Sequence, residues 1–368
     1  MASTGETTLE INLSALEHNF HYLKERLKAG TKFLGVVKAF AYGSDMVAVA
    51  KKLESLGADY LAVAYVKEGI LLRDAGIAAP ILVLHPLPVH FKELIDHHLE
   101  PSLYSPKVLR LFLETAKDQN KKNYPVHIKF NTGLNRLGFW ENDVDFIMEE
   151  INGHDQIGIK GILSHLAASE DINEREFTQK QIENFEKVST RLRKKLGYLP
   201  LRHLLNTSGI LNYPEAAFDM VRSGIGLYGY GNHPNFDKAL KPVATLKTVI
   251  SQRHKIEPGE TVGYNRAYTS TAYRITATLP IGHADGIGRQ YGGGKTFVTI
   301  NGKKAPIIGN VCMDMIMVDV TDIDCKEGDE VIVFGPDHSA EMLAGSANTI
   351  SYEILTAVSQ RVARKIVP

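Results

Sequence analysis

Short apolar runs alternate with amphipathic stretches along the first two thirds of the chain. Phe33–Val37, Leu61–Val63, Ile81–Leu84, Pro101–Tyr104, Val126–Lys129, Ile159–Ser164, His203–Leu205 and Met220–Arg222 have the length and composition of buried strands. Between them the pattern turns helical. Over Phe177–Leu196, residues Phe177, Ile182, Phe185, Val188, Leu192 and Leu196 recur at near-helical spacing. Over Leu13–Leu27, Ser14 with Glu17 three residues on has the form of a capping box. Eight strand–helix units in about 230 residues have the count and size of an α/β fold with a closed (β/α)8 barrel of the TIM type. An open doubly wound sheet is the competing arrangement, but no G-x-G-x-x-G follows the first strand.

From about Lys241 the rhythm changes. Ile275–Leu279, Phe297–Ile300, Pro306–Ile308, Met315–Val320 and Glu330–Phe334 are separated by turns such as Gly292-Gly293-Gly294, Asn301-Gly302 and Gly335-Pro336. This predicts a mostly-β second domain. The expected division is residues 8–235 and 236–368, with Asn232–Lys241 linking them and Thr8–Ile11 adding a strand to either.

Composition narrows the function classes. The 368 residues carry 42 basic and 42 acidic side chains, so no basic excess exists to hold nucleic acid or an anionic membrane, and neither partner is expected. No apolar run approaches the roughly 18 residues of a membrane span. Met1–Thr7 is small and polar and lacks the apolar stretch of a secretory signal. Cys312 and Cys325 have no C-x-x-C spacing and cannot make a disulfide framework, which predicts a cytoplasmic protein. The histidines, including His97 and His98, fall in no metal motif, and no metal is expected.

In a βα barrel the reactive groups sit at the C-terminal ends of the strands. Those ends carry Lys38, Lys129, His165, Asn206 with Thr207, and Arg222. Any one alone fits a solvated loop residue; five strand ends of eight pointing the same way favour a site. A lysine amine among apolar neighbours has the lowered pKa that addition to a carbonyl requires, which singles out Lys38. Thr207, Gly224 and Ile225 follow the seventh and eighth strands, where barrels commonly bind phosphate, and Gly224 and Gly226 let the backbone approach an anion. A lysine facing a phosphate cup suggests a phosphorylated aldehyde cofactor.

These residues lie in segments that resemble the alanine racemase family. Val36-Val37-Lys38-Ala39-Phe40-Ala41-Tyr42-Gly43 resembles its cofactor-lysine motif, and Lys129-Phe130-Asn131-Thr132-Gly133-Leu134-Asn135-Arg136-Leu137-Gly138 its lysine-to-arginine segment. His165 stands at the barrel histidine, and Arg222-Ser223-Gly224-Ile225-Gly226-Leu227-Tyr228-Gly229 resembles the cofactor-contact segment. Later, Val262-Gly263-Tyr264, Cys312-Met313-Asp314 and Tyr352 match further motifs in the family's order. The resemblance runs from about Thr8 through nearly the whole chain.

It implies a homodimeric racemase with shared active sites that interconverts L- and D-alanine on pyridoxal 5'-phosphate, supplying D-alanine for peptidoglycan. Lys38 would bond the cofactor, and Tyr264 of the partner subunit would be the opposing base. Tyr42, Thr207, Gly224, Ile225 and Tyr352 would hold the phosphate. Arg222, oriented by His165, would face the pyridine nitrogen. Arg136 and Met313 of the partner subunit would bind substrate, and a carbamylated Lys129 would hold Arg136.

Four positions depart from the family pattern: Thr207 for serine, Asn131 for aspartate, His283 for tyrosine and Asn310 for arginine. Arg289 is a candidate channel residue. The competing functions are a broad-specificity, serine or lysine racemase of this fold, a decarboxylase of the same barrel class, and a non-catalytic cofactor carrier. Such carriers resemble the first domain alone, so the second domain with Tyr264 counts against the last.

Overall fold

The computed structural model describes residues 6–368, so of the polar stretch Met1–Thr7 only Glu6 and Thr7 lie within the described residues. Two units divide the chain. One is a barrel, formed by Glu17–Ala41 and Met46–Leu240; the other gathers the chain up to Leu16, Tyr42–Asp45 and Lys241–Pro368.

The first strand, β1 (Thr8–Asn12), belongs to the second unit. The barrel closes in chain order through β2 (Lys32–Val36), β3 (Tyr60–Val63), β4 (Ile81–Val83), β5 (Glu100–Leu103), β6 (Tyr124–Lys129), β7 (Ile157–Leu163), β8 (Leu201–His203) and β9 (Met220–Ser223). All pairings are parallel, and β9 returns to β2 with Leu34 opposite Arg222. Each strand overlaps one of the apolar runs, because strands covered on both faces have no polar side to show. Residues Tyr60–Val63 and Ile81–Val83 are buried throughout.

The helices around the barrel show why the intervening segments fold as they do. In Pro106–Asp118, Ser105 Oγ accepts from Val108 N at 3.3 Å and Pro106 opens the first turn. Val108, Leu109, Phe112, Leu113 and Ala116 then recur on one buried face. Truncating Phe112 to alanine would cost about 3–5 kcal/mol. Two local expectations are corrected. The first helix begins at Leu13, and its cap is Asn12, whose Oδ1 accepts from Ala15 N at 2.7 Å; Ser14 is already inside the helix. In Arg175–Leu196 the buried face is Thr178, Gln181, Ile182, Phe185, Val188, Ser189 and Leu192, while Phe177 faces outward.

The second unit is built on β10 (Ala244–Val249), β11 (Gln252–Ile256), β12 (Thr261–Val262), β13 (Tyr268–Thr269), β14 (Arg274–Leu279), β15 (Phe297–Ile300), β16 (Lys303–Ile308), β17 (Ile316–Asp319), β18 (Glu330–Phe334) and β19 (Ala363–Val367). One nine-stranded sheet runs β11-β14-β17-β16-β15-β18-β10-β1-β19, and β12 pairs with β13 beside the turn that carries Tyr264. Strand β1 lies antiparallel to β10 and parallel to β19. Among the described residues, no helix is long and apolar enough to cross a membrane.

Candidate active site

Lys38 follows β2 and opens a turn of the wrong hand. Ala39, Phe40, Ala41 and Tyr42 all have φ between 52° and 55°, followed by Gly43 at 78°. For residues with a Cβ, left-handed helical backbone costs roughly 1–2 kcal/mol per residue, so neighbours must hold it. Glu68 does part of this: Oε1 accepts from Ala39 N at 2.6 Å, and Oε2 accepts from Ala64 N at 2.7 Å and Tyr65 N at 3.1 Å. In the second unit, a Cβ on Gly43 would fall 1.9 Å from Leu355 O, so only glycine fits.

Four cations meet in the barrel unit. Burial and the Arg136 charge hold the Lys38 amine below the ordinary lysine range. Burial, then Arg136, Arg222 and Lys38, bring Lys129 down to about 8. Burial and Arg136 lower Arg222 to about 10. His165 is held well below the usual histidine range by burial and by all four cations, and is neutral. Among the described residues, none of the four cations makes an ion pair; Glu68 acts on Lys38 only through its field. An unbalanced cluster of this kind lacks an anion.

Arg222 is buried and committed at both terminal nitrogens. Nη1 donates to His203 O at 2.7 Å and His203 Nδ1 at 3.1 Å. Nη2 donates to Ser164 O at 2.5 Å, Leu204 O at 3.1 Å and His165 Nδ1 at 3.2 Å. None of these bonds uses Nε. Beside it, Thr207 Oγ1 lies 3.0 Å from Ser223 Oγ and accepts from Gly224 N at 3.3 Å and Gly226 N at 3.1 Å. Ile225 opens the short turn Ile225–Tyr228, so its N–H has no acceptor within that turn. Asn131 folds the loop leading to Arg136: its Oδ1 accepts from Gly133 N and Asn135 N at 3.1 and 3.0 Å. An aspartate could accept both bonds as well, but it could not donate, as Asn131 Nδ2 does, to Asn135 Oδ1 at 2.9 Å.

The remaining residues expected from the sequence belong to the second unit. The rings of Tyr42 and Tyr352 are 5.9 Å apart, and burial together with Tyr352 pushes the Tyr42 phenol upward, so it stays protonated. Tyr264 is 69% exposed on its turn, with its carbonyl accepting from Asn310 Nδ2 at 3.0 Å. Met313 is 59% exposed. Its loop is clamped: His283 N and Ala284 N donate to Cys312 O and Met313 O at 3.0 Å each. Arg361 then bridges Asp285, at 2.7 and 3.0 Å, and Asp314 at 2.7 Å. Arg289 and the ring of His283 lie at the surface.

Sequence reasoning named residues that the structure divides between the units: Lys38, Lys129, Arg136, His165, Thr207, Arg222, Gly224 and Ile225 lie in the barrel unit, and Tyr42, which the expected division at 235 puts with the barrel, lies with Tyr264, Met313 and Tyr352 in the second. It missed Glu68, His203, Ser223 and Arg361. Only His203 carried a signal, a polar residue opening an apolar run.

Comparison with known proteins agrees along the whole length. The family description "Alanine racemase, N-terminal domain" matches residues 11–232, and "Alanine racemase, C-terminal domain" matches 243–366. An alanine racemase of Thermodesulfovibrio yellowstonii is 38% identical, covering 97% of each chain. The solved alanine racemase of Clostridium difficile 630 superposes with a TM-score of 0.91 at 37% identity, covering 99% of this chain and 96% of that one. That of Bartonella henselae, solved with covalently bound pyridoxal phosphate, gives 0.89 at 31% identity, covering 99% of this chain and 100% of that one. A closed barrel followed by a β unit, with these motifs in this order, leaves one assignment: the chain belongs to the alanine racemase family.

Proposed function

We propose that the chain interconverts L- and D-alanine, with pyridoxal 5'-phosphate held in the barrel and each site completed by the second unit of a partner in a homodimer. The observation that carries this reading is the cluster of Lys38, Lys129, Arg136 and Arg222 with no paired acid among the described residues. Its donor set fits the cofactor and substrate. Thr207, Gly224 and Ile225 offer a hydroxyl and N–H groups for a phosphate, and Tyr42, kept a phenol by burial, offers a donor for it. The resemblance assigns Tyr352, whose ring is 5.9 Å from that of Tyr42, to the same phosphate.

When bound, pyridoxal phosphate supplies the electron withdrawal that acidifies Cα–H of an amino acid joined to it. Racemisation then needs a proton held on each face of Cα, which one rigid base reaches badly. Lys38 Nζ holds the proton on one face; its lowered pKa raises the share of free amine able to accept it. Tyr264 Oη of the partner subunit holds the proton on the other, and the exposure of Tyr264 suits a side chain that reaches another copy. Arg222 keeps Nε–H for the pyridine nitrogen, where a donor-only cation opposes protonation of that nitrogen; His165 holds its Nη2. Arg136 binds the substrate carboxylate, and Met313 of the partner subunit offers its backbone N–H. Lys129, with its amine near neutrality, takes up carbon dioxide as a carbamate and sets a negative group beside Arg136.

The product suits peptidoglycan synthesis, and the two free cysteines suit a reducing cytoplasm. The test is an assay of the purified protein with each L-amino acid, following optical rotation with and without added cofactor, then borohydride reduction and peptide mapping. Loss of rotation from L-alanine and label on the Lys38 peptide are expected. Label without loss of rotation from any amino acid would mean a carrier; loss with serine or lysine above alanine would move the substrate.

A further inference from the structure

The barrel interior carries a polar column of which the proposed reaction uses only one end, Arg222. Glu100, His127, His203 and Arg222, on β5, β6, β8 and β9, are each no more than 5% exposed. Arg222 Nη1 lies 3.1 Å from His203 Nδ1, His203 Nε2 lies 3.0 Å from His127 Nδ1, and His127 Nε2 lies 2.9 Å from Glu100 Oε2. Lys160 reaches Glu100 Oε1 at 2.8 Å from a side chain 40% exposed. Glu100 opens its strand, so the column starts at the barrel end opposite Lys38.

The two ends dictate its direction. A guanidinium can only donate, so His203 Nδ1 must accept and its proton must sit on Nε2. That proton goes to His127 Nδ1, which puts the His127 proton on Nε2, facing a carboxylate that can only accept. One tautomer pattern therefore satisfies every link, with both imidazoles neutral. Burial, and next the Arg222 charge, hold His203 far below the usual histidine range. Burial opposes ionisation of Glu100, but His127 and Lys160 outweigh it and keep the carboxyl ionised. The backbone makes room: a Cβ on Gly161, which faces His127 across the β6–β7 ladder, would fall 2.0 Å from His127 Nδ1.

We propose that Glu100, His127 and His203 are positioning residues for Arg222: the carboxylate at the far end of the column fixes both tautomers and, through them, the orientation that leaves Nε–H outside the network. The carbonyls around Arg222 are neutral, and Glu100 is the carboxylate at the end of its hydrogen-bond chain. The effect on turnover rests on the reading that Arg222 faces the pyridine nitrogen; the tautomers do not.

Ring-nitrogen NMR of the intact enzyme tests the first half. Protonated Nε2 and bare Nδ1 are expected at both His127 and His203, and a proton on Nδ1 of either would overturn the column. Glu100→Gln tests the second, since the amide oxygen still accepts from His127 while the charge is gone. A fall in kcat of about tenfold, the low end for lost outer-layer partners, is expected, with KM for alanine unchanged and stronger long-wavelength absorbance during turnover. Gly161→Ala, which pushes the His127 ring aside, should give the same kinetic signature and erase the tautomer pattern. A lower melting temperature with unchanged kcat and spectrum in Glu100→Gln would reduce the column to packing. Borohydride label on a lysine other than Lys38 would remove the cofactor reading instead, and would leave the tautomers as stated.

Discussion

The Cγ2 methyl of Thr207 stands where a side chain on Gly226 would have to go: a Cβ built there would lie 2.6 Å from it. The extra methyl that distinguishes threonine from serine is therefore matched by a missing one at Gly226. Gly226→Ala should drive Thr207 off its bonds to Gly224 N and Gly226 N. We expect a loss of about 1–3 kcal/mol in stability from overpacking and a cofactor affinity weakened about tenfold, equivalent to roughly 1.4 kcal/mol. Adding Thr207→Ser should recover most of both, as read by cofactor titration and denaturant unfolding. No recovery would place the clash elsewhere.

Lys129 gives a pH dependence with a definite sign. Its folded pKa is about 8, against 10.5 for the ordinary side chain. Between those values the unfolded chain binds the proton that the folded chain has lost, so this lysine makes stability rise with pH across that window. Below about 8 it carries the full penalty of a buried, repelled cation. In buffer free of carbon dioxide, Lys129→Met should be more stable than the parent at pH 7, on the order of 1–3 kcal/mol, and the gap should close toward pH 10.5. Bicarbonate should stabilise the parent and leave Lys129→Met unchanged. Parallel stability curves with no bicarbonate effect would rule out both statements.

Subunit exchange tests the proposal that two subunits share each site. Lys38→Ala and Tyr264→Phe, each nearly inactive alone, are mixed in equal amounts. Half the dimers become mixed, and each mixed dimer has one site with both residues, so about a quarter of the parental activity should return. Proven exchange without recovery would put Lys38 and Tyr264 of one subunit in one site.

Rates cannot assign the two faces, because the enantiomers have equal free energy and any substitution lowers kcat/KM equally in both directions. Losing a general base should cost ~10²–10⁴ in rate. Isotope exchange separates the roles. In Tyr264→Phe, D-alanine should still lose its α-deuterium to water through Lys38, while L-alanine keeps its label. The reverse pattern would swap the bases, and free exchange from both would remove Tyr264 from proton transfer.

The sequence displayed the barrel because its strands are covered on both faces and so read as unbroken apolar runs. It hid β11 and β19, whose residues Gln252–Ile256 and Ala363–Val367 are charged and largely exposed edges with no apolar alternation. Strand ends exposed Lys38, Lys129 and Arg222 as candidates because a polar residue ending an apolar run stands out. His127 and Glu100 stayed silent for other reasons: His127 lies inside an apolar run and Glu100 just before one, and only the register that sets His127 opposite Gly161 and Ser102 brings them together. Glu68 was invisible too, since a helical glutamate reads as a solvated face until its backbone partners at Ala39, Ala64 and Tyr65 are known.

The turn after β2 also decides how this protein can be inherited in parts. Lys38–Ala41 belong to the barrel, Tyr42–Asp45 to the other unit, and Met46 onward to the barrel again. The gene therefore encodes the second unit in three separate stretches. A single crossover near Lys241 between two relatives would deliver a second unit whose first strand and Tyr42–Asp45 come from the barrel's parent and are foreign to the rest of it. Chimaeras with joints after Leu16, Ala41, Asp45 and Leu240 would keep each unit whole, and in them the lysine of the turn would travel with one parent and its tyrosine with the other.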